Sequence, residues 1–125
     1  MGIFSGIMGN ASEVDLKKIT EEYSKMLIRD ESIEKAFKIL RDIFIFTNKR
    51  LILIDKQGMT GKKTEYHSIP YKSITHFSVE TSGNFDSEAE LKIWISGTAL
   101  PIQKTFNNSV NVYEIQTILA EYCLR

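Results

Sequence analysis

The sequence predicts a mainly β domain with a helix at each end, built as a β-sandwich or a partly open barrel. Three observations carry this. Short runs rich in Ile, Val, Thr, Tyr and Phe recur between turn signals of Gly, Pro and Asn. Apolar residues at helical spacing mark one stretch before these runs and one after them. The chain has 125 residues, a length that suits one domain with one core.

The elements follow in chain order. Ile3, Phe4, Ile7 and Met8 stand at helical spacing in "MGIFSGIMGN" and suggest a short amphipathic segment. Ser12 to about Leu27 reads as a helix. Ser12 and Asp15 resemble a capping box, and Leu16, Ile19, Tyr23, Met26 and Leu27 lie near one face. Ser32 to Leu40 is ambiguous, and propensity alone leans towards a helix. Ile43 to Phe46 and Leu51 to Ile54 are β runs joined by the polar "TNK", which predicts a tight hairpin. Both faces of both runs are apolar, so something must cover each side: a second sheet, a helix or another subunit.

Gly58 and Gly61 mark the next turn. "KKTEYHSI" reads as an exposed strand that Pro70 ends. Ile74 to Glu80 follows, with Thr75, Phe77 and Val79 on one face. Leu91, Ile93 and Ile95 then point one way, and Lys92, Trp94 and Ser96 the other. "LPIQKTF" is a short last strand, and Pro101 places its start at an edge. Val110 to about Leu124 closes the chain as a helix. Asn111 and Glu114 are its capping pair, and Val112, Ile115, Leu119, Tyr122 and Cys123 form its stripe. The expected order is a helix, about seven strands and a helix that plugs one open end.

Composition narrows the function. Formal net charge is zero, whereas a chain that binds nucleic acid through phosphates should be basic. A single cysteine, Cys123, excludes an internal disulfide and fits a reducing compartment, so a cytoplasmic location is expected. No apolar run is long enough to span a bilayer as a helix. The first ten residues make a poor signal peptide, and Gly6 breaks the myristoylation pattern.

Chemistry is sparse. His67 and His76 lie on different strands with no paired Cys or His motif, so two surface histidines are expected rather than a metal site. Cys123, within a helical stripe, reads as a small core residue rather than a nucleophile. "GKKT" lacks the spacing of a phosphate-binding loop. The acidic loop with Glu80, Asp86, Glu88 and Glu90 lacks the calcium-loop spacing. Lys56, Lys62 and Lys63 form a small basic patch, a candidate anion or headgroup site or simply a solvated edge. No cofactor and no metal are expected.

"FTNKRLILID" and "YHSIPYKSI", with "SEAELKIWISG" and "VYEIQTILAEY" beyond them, resemble the bacterial pleckstrin-homology-like family, in its small single-domain form. The resemblance runs from about Ser12 to the last helix. It implies a seven-stranded, strongly bent sheet, or partly open barrel, capped by a C-terminal helix. It makes Ser32 to Leu40 the first strand, against local propensity. The N-terminal helix is then an addition. One domain over 1–125 is expected, with a helical extension at 1–30, the β region at 31–106 and the closing helix at 109–125.

Function does not follow from fold. Phosphoinositide-binding pleckstrin domains place Lys and Arg in the first hairpin. That corner here holds Lys38, Arg41 and Asp42, and it is short and not clearly basic. The resemblance implies instead a protein-interaction role in a closed cyclic homo-oligomer, a pentamer in the first instance, with a further protein partner unidentified. The candidate interface residues are Trp94, an aromatic on an otherwise polar strand face, and Phe44 and Phe46 of the two-faced hairpin. The alternative is a peripheral membrane or headgroup binder using the lysine patch and the N-terminal apolar turn. No enzyme constellation assembles from the sequence.

Overall fold

The structure is a computed structural model that describes residues 11–13, 16–39, 41–58, 62–81, 88–107 and 112–125. The apolar segment with Ile3, Phe4, Ile7 and Met8 lies outside them, as do Asp15, Leu40, Gly61, Asp86 and Asn111.

Two antiparallel sheets pack face to face without closing into a barrel. The first holds β1 (Ala11–Glu13), β2 (Ile33–Ile39), β3 (Asp42–Thr47), β4 (Arg50–Gln57) and β5 (Lys63–Pro70), in that order. The second holds β6 (Ile74–Thr81), β7 (Glu88–Ile95) and β8 (Ile102–Asn107), also in order. Helix α1 (Leu16–Tyr23) runs into a 3-10 turn at Ser24–Met26, and α2 (Val112–Cys123) closes the chain. The segment that propensity assigned to a helix is indeed β2, because pairing with β3 outweighs local preference.

The doubly apolar hairpin organises the rest. Phe44, Phe46, Leu51 and Leu53 face the main core with Phe37, Leu91, Ile93, Phe106, Ile115, Ile118 and Leu119. The second sheet and α2 therefore cover that side. Phe37 stacks on Phe44 at 4.9 Å between ring centroids. On the other face Ala36, Ile43, Ile45, Ile52 and Ile54 form a second core with Ile19 and Tyr23 of α1. Alternation along the strand sets this division, since successive side chains point to opposite faces. Lys17, Lys18, Glu21 and Glu22 stay on the exposed side of α1.

The start of α1 differs from expectation. Ser12 lies in β1, paired with Lys38 of β2, and the helix begins at Leu16. Pairing satisfies backbone groups on the edge of β2 that a capped helix would leave open. Phe77, on one face with Val79, is half-buried and packs against the edge of the main core.

Ion pairs and hydrogen bonds join these parts. Arg50 Nε is 2.8 Å from Glu31 Oε2, and Arg50 also donates to the Met26 carbonyl at 2.6 Å. The Thr47 hydroxyl donates to Glu31 at 2.7 Å, and the Ile28 N–H donates at 3.0 Å. This ties the end of the α1 segment to the β3–β4 turn. Asn48 in that turn holds the same loop through the Asp30 carbonyl and the Ser32 N–H, each at 2.8 Å. Burial alone would raise the Glu31 pKa. The hydrogen bonds, Arg50's foremost, outweigh it and hold the carboxyl at about 2. At the opposite corner Lys104 of β8 reaches Asp42 and Asp55 of the first sheet at 2.9 and 3.0 Å. On α2, the Tyr122 hydroxyl donates to Glu34 at 2.7 Å, and Lys35 pairs with Glu121 at 2.6 Å.

Two predictions follow from this packing. Leu53 is 3% exposed in the main core, so Leu53→Ala should cost about 2–5 kcal/mol in urea unfolding, and an unchanged midpoint would refute the strand assignment. Glu31 has its folded pKa depressed from 4.5 to about 2, so its contribution is present above about 4.5 and is lost as pH falls towards 2. Wild type should lose on the order of 3 kcal/mol through this group across that window. Unfolding at pH 5 and pH 2.5 should show a flatter profile for Glu31→Gln.

Candidate interaction surface

The outer face of the second sheet carries the candidate site. Residues 77 and 79 of β6 and 91 and 93 of β7 point to the core, so 76 and 78, 92 and 94 point outwards. The register breaks between Ile74 and His76, and Thr75 is the bulged residue. This bulge lets Ile74 enter the core while His76, two positions on, faces solvent. The regular alternation expected of Thr75, Phe77 and Val79 is broken there.

His76 lies directly across from Trp94. Their rings stack, with centroids 4.3 Å apart and planes 16° from parallel. The Thr75 hydroxyl donates to the Trp94 carbonyl at 3.3 Å and sits 3.1 Å from His76 Nδ1. Lys92 is 3.7 Å from Glu90, which also accepts from Gln103. Trp94 is half-buried, and α1 packs on the far face of the other sheet, so the helix does not cover it.

The other expected site residues fare differently. Phe44 and Phe46 are fully buried in the chain's own core and present no surface to a neighbour. Their strand face is closed by the second sheet and α2, which the sequence could not distinguish from a subunit. Lys62 and Lys63 are exposed and Lys56 is half-buried. Arg41, missed in that patch, donates to the Gly58 carbonyl at 2.6 Å and so draws the β2–β3 and β4–β5 turns together, with Lys38 also exposed. The adjacent Asp42 and Asp55 share one ammonium. For Asp55 burial opposes ionisation, but the hydrogen bond and charge of Lys104 win and lower its pKa.

A trough of about 520 Å³ between α1 and β5 is lined by Glu22, Tyr23, Lys25, Met26 and Tyr66. His67 and His76 stand on different sheets. Among the described residues no group of three or more His, Cys, Asp or Glu could hold a metal. No helix among them is long and apolar enough to cross a membrane.

The bacterial PH domain family matches residues 2–123. The chain belongs to that family. Two solved bacterial structures resemble this PH domain closely. A pleckstrin homology domain from Shewanella amazonensis SB2B is 57% identical, with a TM-score of 0.84 over 94% of this chain and 95% of that one. A protein with a pleckstrin-homology domain from Shewanella loihica PV-4 is 51% identical, with a TM-score of 0.79 over 93% and 99%. The uncharacterized protein YjqA of Bacillus subtilis is 54% identical over 99% of this chain and 100% of its own length. These likenesses agree with the bent two-sheet fold, its C-terminal helix and its N-terminal helix.

Cys123 ends the PH domain's last helix, half-buried against the main core. Burial pushes its thiol up to about 11 from the usual 9.0. Thiolate is the reactive form, so labelling of the native protein at pH 7 should be roughly one to two orders of magnitude slower than after denaturation. Equal rates by a thiol-reagent assay would reopen a reactive role.

Proposed function

We propose that this PH domain is a non-catalytic interaction module that assembles with copies of itself into a closed ring, through the outer face of its second sheet. The observation that carries this is Trp94, a large aromatic left half-open on a polar sheet face and held by its stack on His76. Aromatic anchors of this kind dominate binding energy in protein interfaces. A closed ring requires a heterologous contact, in which this face meets a different surface of the next copy and the rotation closes. Five copies is the count to test. The titratable groups with shifted pKa at the sheet seams, Glu31, Asp55 and Lys104, are occupied by internal partners. This leaves the surface to bind rather than react. A reducing compartment such as the cytoplasm suits the single cysteine.

A second reading has one observation in its favour. Arg41 joins two turns and thereby gathers Lys38, Lys56, Lys62 and Lys63 at one end. Such a cluster suits an anionic headgroup, although Asp42 and Asp55 beside it oppose this.

Removing an anchoring aromatic costs about 2 kcal/mol or more per interface. Trp94→Ala should therefore shift the light-scattering mass towards monomer while circular dichroism stays native-like. Wild type that remains monomeric at high concentration yet pellets tightly with anionic vesicles would replace the ring reading with the headgroup one.

A further inference from the structure

The first sheet has a free edge. β4 pairs with β5 along the whole of Lys63–Pro70, and among the described residues no strand pairs with the other side of β5. Alternate residues of such a strand direct their N–H and C=O groups away from the sheet, where an extended chain can pair with them. The opposite edge differs, because β1 pairs with β2 there. Lys63 and Pro70 stand at the two ends of β5, and both residue types discourage unselective pairing. The stretch between them carries neither.

Two hollows lie along this edge, both on the face that carries α1. Tyr66 and Ser68 stand opposite Ile54 and Ile52 of β4 and so share the face of the second core. Tyr66, 54% exposed, lines the trough of about 520 Å³ together with Tyr23 and Met26. Ser68 and Pro70 line a second hollow of about 290 Å³ with Ile28, Lys49 and Arg50. Ile28 is 61% exposed. Tyr66 and Ser68 are two residues apart, about 7 Å along a strand, and side chains on one face of an added strand have the same spacing.

Charge separates the hollows. Glu22 and Lys25 offset one another in the first. In the second both charged residues are cationic. Arg50 is engaged with Glu31, the Met26 carbonyl and the Ser68 hydroxyl, so the exposed Lys49 presents its ammonium to an incoming group.

From this we infer that the β5 edge is a docking site for an extended acidic peptide segment of a partner protein. The segment adds antiparallel to β5, the slightly more stable pairing. An aromatic side chain enters the trough at Tyr66, and a glutamate two residues earlier enters the hollow at Ser68. The glutamate's methylenes lie on Ile28 and Pro70, and its carboxylate meets Lys49. Main-chain hydrogen bonds supply affinity and the two hollows supply selection. The site belongs to the first sheet, so it stands apart from Trp94 and the assembly contact proposed for the second.

The test uses the full chain and a blocked, fluorescein-labelled heptapeptide with glutamate third, phenylalanine fifth and threonine elsewhere, read by fluorescence anisotropy. Wild type should bind it saturably. Exchanging the fourth and fifth residues puts glutamate and phenylalanine on opposite faces and should weaken binding about tenfold. Lys49→Glu should weaken binding of the original peptide about tenfold, and a peptide with lysine third should recover that loss on the Lys49→Glu chain. N-methylation of the peptide backbone should block binding at one set of alternate residues and leave it intact at the other, since only one set faces β5. Equal binding of the exchanged peptide, equal losses at both sets, or no binding of the original heptapeptide by wild type would overturn the inference. So would a Lys49→Glu or Tyr66→Thr chain whose light-scattering mass falls below that of wild type, because a second copy would then cover the edge.

Discussion

Alternate residues of β3 and β4 point to opposite sides of the sheet, and in this chain both sides are apolar, so neither can be left to water. Phe44, Phe46, Leu51 and Leu53 require one cover, and Ile43, Ile45, Ile52 and Ile54 require another. Full burial of such a side chain contributes about 1.5–3 kcal/mol. Loss of either cover would thus remove a large share of the stability of a small domain. The second sheet and α2 close one side, and α1 closes the other. A PH domain completed in this way needs no neighbour to protect its central hairpin.

The same requirement explains where the charged groups went. Each cover must be held in register with the hairpin, and the seams are held by ion pairs and hydrogen bonds. Glu31 and Arg50 join the α1 segment to the β3–β4 turn. Lys104 crosses from β8 to Asp42 and Asp55. Tyr122 and Glu34 attach α2 to β2 at the site of a second register break. Glu31 is the buried charge among these groups, and breaking its pair with Arg50 would leave it without a partner, which is strongly destabilising. These groups serve the fold and are spent there. The outer face of the second sheet carries instead a stacked Trp–His pair.

Much of this was legible in the sequence. The strand runs of β3 to β8, the polar hairpin turn and the closing helix all follow from local pattern, and family resemblance supplied β2. Three features were not legible, each for a physical reason. Ser12 looks like a helix cap, but the open edge of β2 competes for its backbone and wins. Phe44 and Phe46 sit in a run that is apolar on both faces, and periodicity cannot tell a covering sheet from a covering subunit. The bulge at Thr75 has no Gly or Pro to announce it, so the stacking of His76 on Trp94 could not be read from spacing, although Trp94 itself could be picked from its polar face.

The central claim is that α1 is a structural cover, cooperative with the hairpin, rather than an appendage. Native-state amide hydrogen exchange under increasing denaturant tests it most directly, because it measures the opening free energy of each segment. The account predicts that protected amides of Ile19 to Tyr23 and of β3 and β4 open together, at the global unfolding free energy. Exchange of α1 through a separate low-energy opening, with β3 and β4 still fully protected, would contradict it.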